Sequence, residues 1–481
     1  MERLLFVASE AYPLIKTGGL ADVAGSLPEV LRQQGMDVRL LLPAYQQVLE
    51  TIAPPTLVAE LDVHGTPLRI LGTTLPGTAL QTWLLDHPLF TGRPGNPYLD
   101  THGQPWPDNA ERFLLLCRLA AAIAVGEAGL DWIPDILHCN DWHTGPAIAL
   151  THLHDPRPRT VFTVHSLAHM GLFDRATFER LQLPEDFWHE DAMEFYNQVS
   201  FIKGGLVYAD CITTVSPNYA REICESPGGM GLEGLLRQRR KHLTGILNGI
   251  DSAVWNPAMD PHLAKRYSAR SLGDKVRNKR ALQARLGLAE GNERPLLGLV
   301  GRLVAQKGLE LILPVLDEIL ALPVQLAVLG TGESHYEQLL QARAAANPDT
   351  MAVVLAYDEN LAHGIEAGAD IFLMPSLFEP CGLNQLYSLR YGTLPLVRAV
   401  GGLADTVVDS NPQTLADGTA TGFVFEQPDA AELLAALRRA TALWYDQKQW
   451  RQVQRNAMRQ DFSWQHSANL YHQLYISPLK T

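Results

Sequence analysis

The stretch LLFVASEAYPLIKTGGLADVAGSLPEVL, residues 4–31, contains the structural unit from which the fold is predicted. Its apolar run Leu4–Ser9 predicts a buried strand. After the paired glycines Gly18 and Gly19, apolar residues recur at steps of three and four, which predicts an amphipathic helix. A strand, a loop and a helix in this order form the repeating unit of a parallel sheet.

The same alternation of strand and helix patterns continues through both halves of the 481-residue chain. Short apolar runs predict further strands at Asp37–Pro43, Asp135–Cys139, Thr160–His165, Cys211–Ser216, Pro295–Gly301, Val324–Gly330, Met351–Ala356, Asp370–Pro375, Thr393–Val397 and Gly422–Phe425. The sequence therefore predicts an α/β protein of two doubly wound domains, joined near the turn Asn248-Gly249. We expect a helix-rich segment over residues 174–205 and a helix in the last twenty residues.

Composition and charge exclude several classes of protein. Hydrophobic residues make up 46% of the chain and charged residues 19%, which rules out a disordered or low-complexity protein. The formal net charge is −13, whereas nucleic-acid and anionic-membrane surfaces call for a basic face. The sequence shows no signal peptide and no run of about 20 apolar residues. We therefore expect a soluble protein with no nucleic-acid partner and no membrane partner.

The cysteines and histidines favour neither disulfides nor a metal site. Five cysteines are an odd number and form no CxxC pair, so a reducing, cytoplasmic location is expected. Several histidines lie between His138 and His169, but neither HExxH nor another accepted zinc spacing occurs there. Asp141 and His165 instead lie at the ends of two predicted strands, where polar residues of α/β sheets commonly line a cleft. We expect these two residues to contact substrate.

The segment Lys16–Asp22 joins a strand to a helix through Gly18 and Gly19. Glycines allow close backbone approach, a helix N-terminus carries partial positive charge, and Lys16 adds a full charge; together they suit a phosphate or a developing oxyanion. The sequence Gly-Gly-Leu-Ala-Asp returns at residues 401–405, so two glycine-rich helix starts could face one cleft. The alternative is that both copies are ordinary strand-to-helix turns and that Lys16 is solvated.

Two segments of the second half carry further candidate groups for an anion. In GRLVAQKG, residues 301–308, Arg302 offers a bidentate fork to a phosphate and Lys307 a point charge. The segment SLFEPCGLN, residues 376–384, follows a predicted strand at the carboxyl edge of the sheet, where ligands of open α/β sheets bind. The alternatives are that Arg302 and Lys307 are solvated charges and that residues 376–384 form an ordinary helix start with Glu379 in its first turn.

Six motifs, in order along nearly the whole chain, together resemble a known family. They are Lys16-Thr-Gly-Gly-Leu-Ala-Asp22, His138-Cys-Asn-Asp141-Trp142-His143, Thr163-Val-His165, Leu247-Asn248-Gly249-Ile-Asp251, Gly301-Arg302 with Gln306-Lys307-Gly308, and Phe378-Glu379-Pro-Cys-Gly-Leu383. This set resembles bacterial glycogen synthases and plant starch synthases. The resemblance implies a GT-B fold, in which two Rossmann-like domains face a cleft and a C-terminal helix returns to the first domain. The domains it implies are residues 1–247, residues 248–460 and a terminal helix at residues 461–481.

The resemblance also implies an activity and a set of site residues. The implied reaction is a retaining transfer of glucose from ADP-glucose to the non-reducing 4-hydroxyl of an α-1,4-glucan such as glycogen, without a metal or another cofactor. The residues with implied catalytic roles are His165, Asp141, Glu379, Arg302 and Lys307. Those with implied substrate-binding roles are Lys16, Gly18, Gly19, Asp22, Asn248, Gly382, Leu383 and Asn384.

Several alternatives stay open at this point. Many retaining relatives have a second glutamate eight positions after the first, but the residue eight positions after Glu379 is Tyr387, so the ribose contact is unassigned. UDP-glucose is an alternative donor, and Tyr357 is a candidate for stacking on the base. A phosphorylase and an inactive glycan-binding protein remain as other classes. An NAD(P)-dependent dehydrogenase is disfavoured, because the glycine pattern that begins at Gly330 has His335 at its third glycine position.

Overall fold

A computed structural model describes residues 1–478 of the chain. The chain divides into two compact units. The first unit contains residues 1–249 together with the chain from Trp464 onward, and the second contains Ile250–Ser463. All the strands predicted from the sequence are present, each end lying within two residues of its predicted position.

The first unit is built on a mixed nine-stranded sheet and a small three-stranded sheet. Its strands are β1 (Arg3–Val7), β2 (Asp37–Pro43), β3 (Thr56–Val63), β4 (Thr66–Thr74), β5 (Gln81–Asp86), β6 (Ile136–Asn140), β7 (Arg159–Val164), β8 (Leu172–Phe173), β9 (Glu194–Phe195), β10 (Gln198–Ser200), β11 (Cys211–Thr214) and β12 (Leu243–Gly245). The large sheet has the order β12-β11-β7-β6-β1-β2-β5-β4-β3, and its neighbours pair parallel except β5 with β4 and β4 with β3. Every residue of β6 is buried, as expected for a strand covered by helices on both faces.

The helices of the first unit cover this parallel core. Those that precede the second unit are α1 (Gly19–Gln33), α2 (Gln46–Thr51), α3 (Asn109–Ala124), α4 (Gly145–His152), α5 (Arg175–Arg180), α6 (Phe201–Tyr208), α7 (Pro217–Glu222) and α8 (Glu233–Gln238). Leu20, Val23 and Leu27 of α1 are buried, so the spacing read from the sequence marks the face that packs on the sheet.

The helix-rich prediction for residues 174–205 was wrong in its middle part. Helices α5 and α6 lie at its two ends, but β9 and β10 form an antiparallel hairpin between them, which β8 extends. The turn of this hairpin is made by Tyr196 and Asn197, both with positive φ, at 49° and 61°. Because neither residue is a glycine, the sequence carries no strong signal for this turn.

The second unit has a six-stranded, fully parallel sheet. Its strands are β13 (Leu296–Val300), β14 (Gln325–Leu329), β15 (Met351–Val354), β16 (Ile371–Met374), β17 (Leu394–Arg398) and β18 (Phe423–Phe425). They pair in the order β15-β14-β13-β16-β17-β18, which is the strand order of a Rossmann fold. Adjacent residues Leu296 and Leu297 belong to different apolar clusters, because the strand buries both of its faces.

Helices flank this second sheet on both sides. They are α9 (Lys275–Leu286), α10 (Leu309–Ile312), α11 (Leu316–Ala321), α12 (Ser334–Ala346), α13 (Glu359–Gly368), α14 (Asn384–Tyr391), α15 (Gly401–Thr406), α16 (Pro412–Asp417), α17 (Ala430–Tyr445) and α18 (Gln447–Met458). Among residues 1–478, no helix is long and apolar enough to cross a bilayer.

The predicted terminal helix is α19 (Trp464–Ile476), which packs against α1 in the first unit. The Tyr475 hydroxyl lies 2.7 Å from Nδ1 of His138, whose Nε2 lies 2.6 Å from the Thr163 hydroxyl, so a buried polar chain links α19 to β6 and β7. The return of α19 is therefore held by specific hydrogen bonds as well as by apolar contact.

Candidate active site

The first candidate site lies in the first unit, where the strand order reverses. Strand β1 lies between β2 and β6, so the loops after β1 and β6 border a switch point at the carboxyl edge of the sheet. Asn140, the last residue of β6, ties these strands together. Its Nδ2 donates to the Val7 carbonyl of β1 at 3.1 Å, and its Oδ1 lies 3.0 Å from Nε2 of His165, which follows β7.

Glu10 organises the loop that follows β1. This carboxylate is 3% exposed, and its Oε2 accepts hydrogen bonds from the Thr17 amide at 2.5 Å, the Thr17 hydroxyl at 2.7 Å and the Gly18 amide at 3.3 Å. Burial raises the pKa of Glu10, and the hydrogen bonds from Thr17 and Gly18 oppose this shift. The Gly18 amide, which the sequence suggested for an external anion, therefore binds an internal carboxylate.

Lys16 and Asp22 form an ion pair across the start of α1. Lys16 Nζ lies 2.7 Å from Asp22 Oδ1, and both side chains remain partly exposed. Gly19 is the first residue of α1, and a Cβ built on it would meet no atom within 4 Å. The start of α1 therefore has room for a ligand, and Asp22 fixes the direction of the nearby cation.

Asp141 is held in an unusual backbone conformation directly after β6. Its φ is 59°, a value that non-glycine residues rarely adopt. The buried carboxylate accepts hydrogen bonds from the amides of His165 at 3.0 Å and Ser166 at 3.4 Å. Burial raises the pKa of Asp141 to about 7, with a smaller contribution from the charge of Glu10. The carboxyl group is thus poised to change its charge near neutral pH.

His165 is a neutral imidazole whose tautomer follows from its neighbour. Burial lowers the pKa of His165 to about 3. Because Asn140 donates through Nδ2 to Val7, its Oδ1 faces His165 and Nε2 carries the proton. Nδ1 is then the basic nitrogen and is able to accept a hydrogen bond.

Asn248 is buried at the end of the continuous part of the first unit. Its Oδ1 has no hydrogen-bond partner within the part of the chain that the structure describes. A buried amide oxygen without a partner costs about 1–3 kcal/mol, so a ligand hydroxyl that donates to it would recover this energy.

The second candidate site lies at the switch point of the second unit, between β13 and β16. The loops after these two strands run alongside each other: the Leu377 amide donates to the Gln306 carbonyl at 2.8 Å, and Gln306 Nε2 donates to the Phe378 carbonyl at 3.2 Å. Gly308 has a φ of 77°, and a Cβ on it would lie 1.9 Å from the Pro375 carbonyl oxygen. Only glycine therefore allows the two loops to approach this closely.

Lys307 and Glu379 meet where these loops join. Lys307 Nζ lies 2.5 Å from Glu379 Oε2, and the Ser376 hydroxyl donates to the same oxygen at 3.1 Å. The Glu379 side chain is 9% exposed and that of Lys307 is 26% exposed. Arg302 is exposed near this pair, with Nη2 3.5 Å from the Gln306 side-chain oxygen.

The N-terminus of α14 is the remaining part of this second candidate site. Gly382 has a φ of 74°, and Leu383 precedes the first helical residue, Asn384. The Asn384 side chain donates to the Val300 carbonyl at 2.8 Å, which fixes the helix start to the end of β13. The first amides of a helix point outward along its axis, so this end of α14 is a place where an anion is stabilised.

The repeated segment 401–405 serves packing instead. The Gly402 amide donates to the Glu379 and Pro380 carbonyls, at 3.2 and 3.1 Å. A Cβ on Gly401 would lie 1.9 Å from the Glu379 carbonyl oxygen, and one on Gly402 would lie 2.1 Å from that of Cys381. These two glycines therefore let α15 press against the backbone that carries Glu379, so the two copies of the motif differ in role.

Other residues singled out by the sequence lie in different surroundings. Tyr387 is buried and stacks on Trp255 at 3.8 Å between ring centroids, so it fills the position of the missing glutamate with aromatic packing. Tyr357 is 81% exposed. Among residues 1–478, no group of three His, Cys, Asp or Glu side chains is arranged to hold a metal ion.

Sequence reasoning assigned no role to Glu10, Asn140 or Ser376, although the last two lie within motifs that it singled out. Each of them lies at, or within three residues of, the carboxyl end of a strand that the sequence did predict. That position was the signal available for them.

Two family models match the chain. The starch synthase catalytic domain matches residues 3–238, and glycosyl transferases group 1 matches residues 283–457. The first match covers the candidate site with Glu10 and Asp141, and the second covers the candidate site with Lys307 and Glu379.

Relatives match over nearly the full length. The chain is 54% identical over 477 residues to glycogen synthase 1 of Methylococcus capsulatus, with 99% of this chain and 97% of that protein covered. It is 54% identical over 479 residues to the glycogen synthase of Cellvibrio japonicus, with 99% of each covered. Among solved structures, the catalytic domain of starch synthase IV from Arabidopsis thaliana, bound to ADP and acarbose, has a TM-score of 0.86 at 32% identity and covers 98% of each chain.

Proposed function

The chain belongs to the glycogen and starch synthase family of glycosyltransferases, with its two-domain GT-B fold, and on this basis we propose its reaction and the role of each of the two candidate sites. The reaction is transfer of glucose, with retention of anomeric configuration, from ADP-glucose to the non-reducing 4-hydroxyl of an α-1,4-glucan. The products are ADP and a glucan longer by one residue. The observation that carries the proposal is the Lys307–Glu379 pair beside the N-terminus of α14.

In this proposal the second unit binds the donor. Arg302 and Lys307 bind the diphosphate, and the amides of Gly382, Leu383 and Asn384 add the positive end of α14. The exposure of Arg302 and the outward amides of α14 support this role. Glu379 accepts hydrogen bonds from hydroxyls of the transferred glucose.

Rate enhancement then comes from stabilising the departing nucleotide. Breaking the bond between the anomeric carbon and its oxygen leaves negative charge on ADP. Cations and amides already fixed around the diphosphate lower this barrier, and removing one such group typically costs about 10²–10³ in rate. Glu379 holds Lys307 in place before substrate arrives, so little reorganisation remains at the reaction step.

The first unit acts on the transferred glucose and on the acceptor. His165 accepts a sugar hydroxyl through Nδ1, and the buried Asn248 oxygen accepts another. Asp141 lies beside His165, joined to its amide. Its carboxyl group takes part in the charge balance around the anomeric centre, because burial raises its pKa to about 7. Lys16, held by Asp22, supplies a positive charge at the start of α1.

The proposal includes a cytoplasmic location and no resident metal or cofactor. The location is supported by the cysteines: all five are buried and none forms a disulfide within residues 1–478, which fits a reducing compartment.

The test is incorporation of radiolabelled glucose into glycogen, with ADP-glucose and UDP-glucose compared at equal concentration and each assayed with and without EDTA. We expect incorporation from ADP-glucose, a strong preference over UDP-glucose, and no effect of the chelator. A preference for UDP-glucose would overturn the donor assignment, and absence of incorporation from either donor would overturn the reaction.

A further inference from the structure

We propose that Glu10 is a positioning residue for glucosyl transfer, which holds the Lys16–Gly19 loop in its reactive arrangement from beneath. The inference rests on the proposed function. It concerns a residue that touches no substrate, since its carboxylate is enclosed by the loop it holds.

The contacts of Glu10 show how it acts on the loop. A single oxygen, Oε2, accepts both the amide and the hydroxyl of Thr17 and the amide of Gly18. Gly18 is the residue before α1 and has no side chain with which to cap the helix. Glu10 instead fixes, from a separate part of the chain, the backbone that enters the helix, because it binds the amides of Gly18 and Thr17 and not the second or third helical amide that a capping serine or aspartate would bind.

The charge of Glu10 also decides which positive groups face a ligand. A carboxylate near a helix N-terminus is attracted by the partial positive charge of the first turn. Here the carboxylate binds the amides of Thr17 and Gly18. A ligand at the start of α1 would therefore contact Gly19, which has open space around its Cα, and the Lys16 ammonium, which is paired with Asp22. The direction of both groups depends on the two residues that Glu10 holds.

The alternative is that Glu10 only stabilises the fold. A structural residue would lower stability when replaced, and the remaining folded enzyme would keep its turnover number. A positioning residue lowers kcat in folded protein, because a loop that has lost its alignment stabilises the transition state less well.

The test compares Glu10→Gln, Glu10→Asp and Glu10→Ala with Glu29→Gln as the matched control. Glu29 is another buried carboxylate of the same unit, but its partners are Arg32 and Gln33 on its own helix and the Ala79 backbone, none of which belongs to the Lys16–Gly19 loop. We expect kcat with ADP-glucose to fall about 100-fold in Glu10→Ala and about tenfold in Glu10→Gln, which keeps an acceptor oxygen at the same reach. Glu10→Asp keeps the charge but loses reach, and we expect it to resemble Glu10→Ala.

Two further readouts separate positioning from folding. The KM for ADP-glucose should change less than about threefold in all four variants, because the second unit binds the nucleotide. The wild-type kcat should fall in acid as Glu10 gains a proton, and Glu10→Gln should lack that part of the decline. The titratable groups facing Glu10 are Tyr45, Tyr98 and Asp141. Because the charge of Glu10 also raises the pKa of Asp141, the part of the decline that belongs to Asp141 should move to lower pH in Glu10→Gln and stay in place in Glu10→Asp, which keeps the charge.

Hydrogen–deuterium exchange of the peptide spanning residues 10–20 gives a readout that does not need activity. Exchange there should rise in Glu10→Ala and remain at the wild-type level in Glu29→Gln. Wild-type kcat in folded Glu10→Ala, or identical pH profiles for the wild type and Glu10→Gln, would overturn the inference. A wild-type protein that transfers no glucose would instead overturn the proposed function, and the exchange experiment would still test whether Glu10 holds the loop.

Discussion

Removing Lys307 is expected to affect catalysis far more than stability. Lys307→Ala takes away a cation of the proposed donor site and leaves Glu379 with Ser376 as its hydrogen-bonding neighbour. Breaking a fully buried ion pair costs about 3–5 kcal/mol. The Lys307 side chain is 26% exposed, so water partly solvates the remaining carboxylate, and we expect a loss of about 1–2 kcal/mol in the free energy of unfolding.

The effect on turnover is expected to be larger than this. Loss of one preorganised group that stabilises developing charge costs about 10²–10³ in rate, which corresponds to about 3–4 kcal/mol of transition-state stabilisation. Glu379→Ala should give a rate loss of the same order. In the double variant the stability loss should be smaller than the sum of the single losses, because no buried carboxylate is left without its partner.

The assay pairs kcat and KM for ADP-glucose with urea unfolding of each variant. Arg343→Ala is the matched control, since Arg343 forms an exposed ion pair with Asp317 in the same unit, 2.7 Å from its carboxylate. It should leave both quantities close to wild type. Retention of kcat/KM within about threefold in Lys307→Ala would refute the assignment of this pair to the donor site.

Three further outcomes follow from packing and ionisation. Gly402→Ala should destabilise the protein by about 2 kcal/mol or more, because its Cβ would lie 2.1 Å from the Cys381 carbonyl oxygen. Gly19→Ala should cost less than about 1 kcal/mol, because its Cβ would meet no atom within 4 Å. Urea unfolding measures both losses. Tyr475→Phe removes a hydrogen bond to buried His138 and should lower unfolding free energy by about 1–3 kcal/mol, and an unchanged midpoint would contradict this. Burial lowers the pKa of His138 to about 3, so between about pH 6.5 and 3 the unfolded chain binds a proton at this residue that the folded chain does not. The free energy of unfolding should therefore fall as the pH drops through this range, and it should fall less steeply in His138→Gln.

Most strands of the parallel cores were predictable because they are buried on both faces, although the parallel strands β5 and β12 were not predicted. Continuous apolar runs between loop signals, such as Leu4–Ser9 and Asp370–Pro375, are typical of strands in this position. The antiparallel strands β3, at the edge of the sheet, and β4, beside it, were not predicted, because their residues have mixed exposure. Strands β8 and β9 have two residues each, too few for any periodicity.

The residues of the candidate sites were also predictable only in part. The position of residues after buried strands was enough to single out Lys307, Glu379 and Asp141. It could not predict how they pair. Lys307 and Glu379 are 72 residues apart in sequence, and their contact depends on the close approach of two loops at Gly308. The role of Glu10 depends on its burial, which spacing alone does not report.

The arrangement of α19 has a consequence for biosynthesis. Residues 250–463 leave the ribosome before residues 464–478, although α19 completes the unit that begins the chain. The usual order, in which the amino-terminal domain finishes first, is therefore reversed. Until Trp464–Ile476 emerge, the first unit lacks α19, and buried His138 lacks its hydrogen bond with Tyr475.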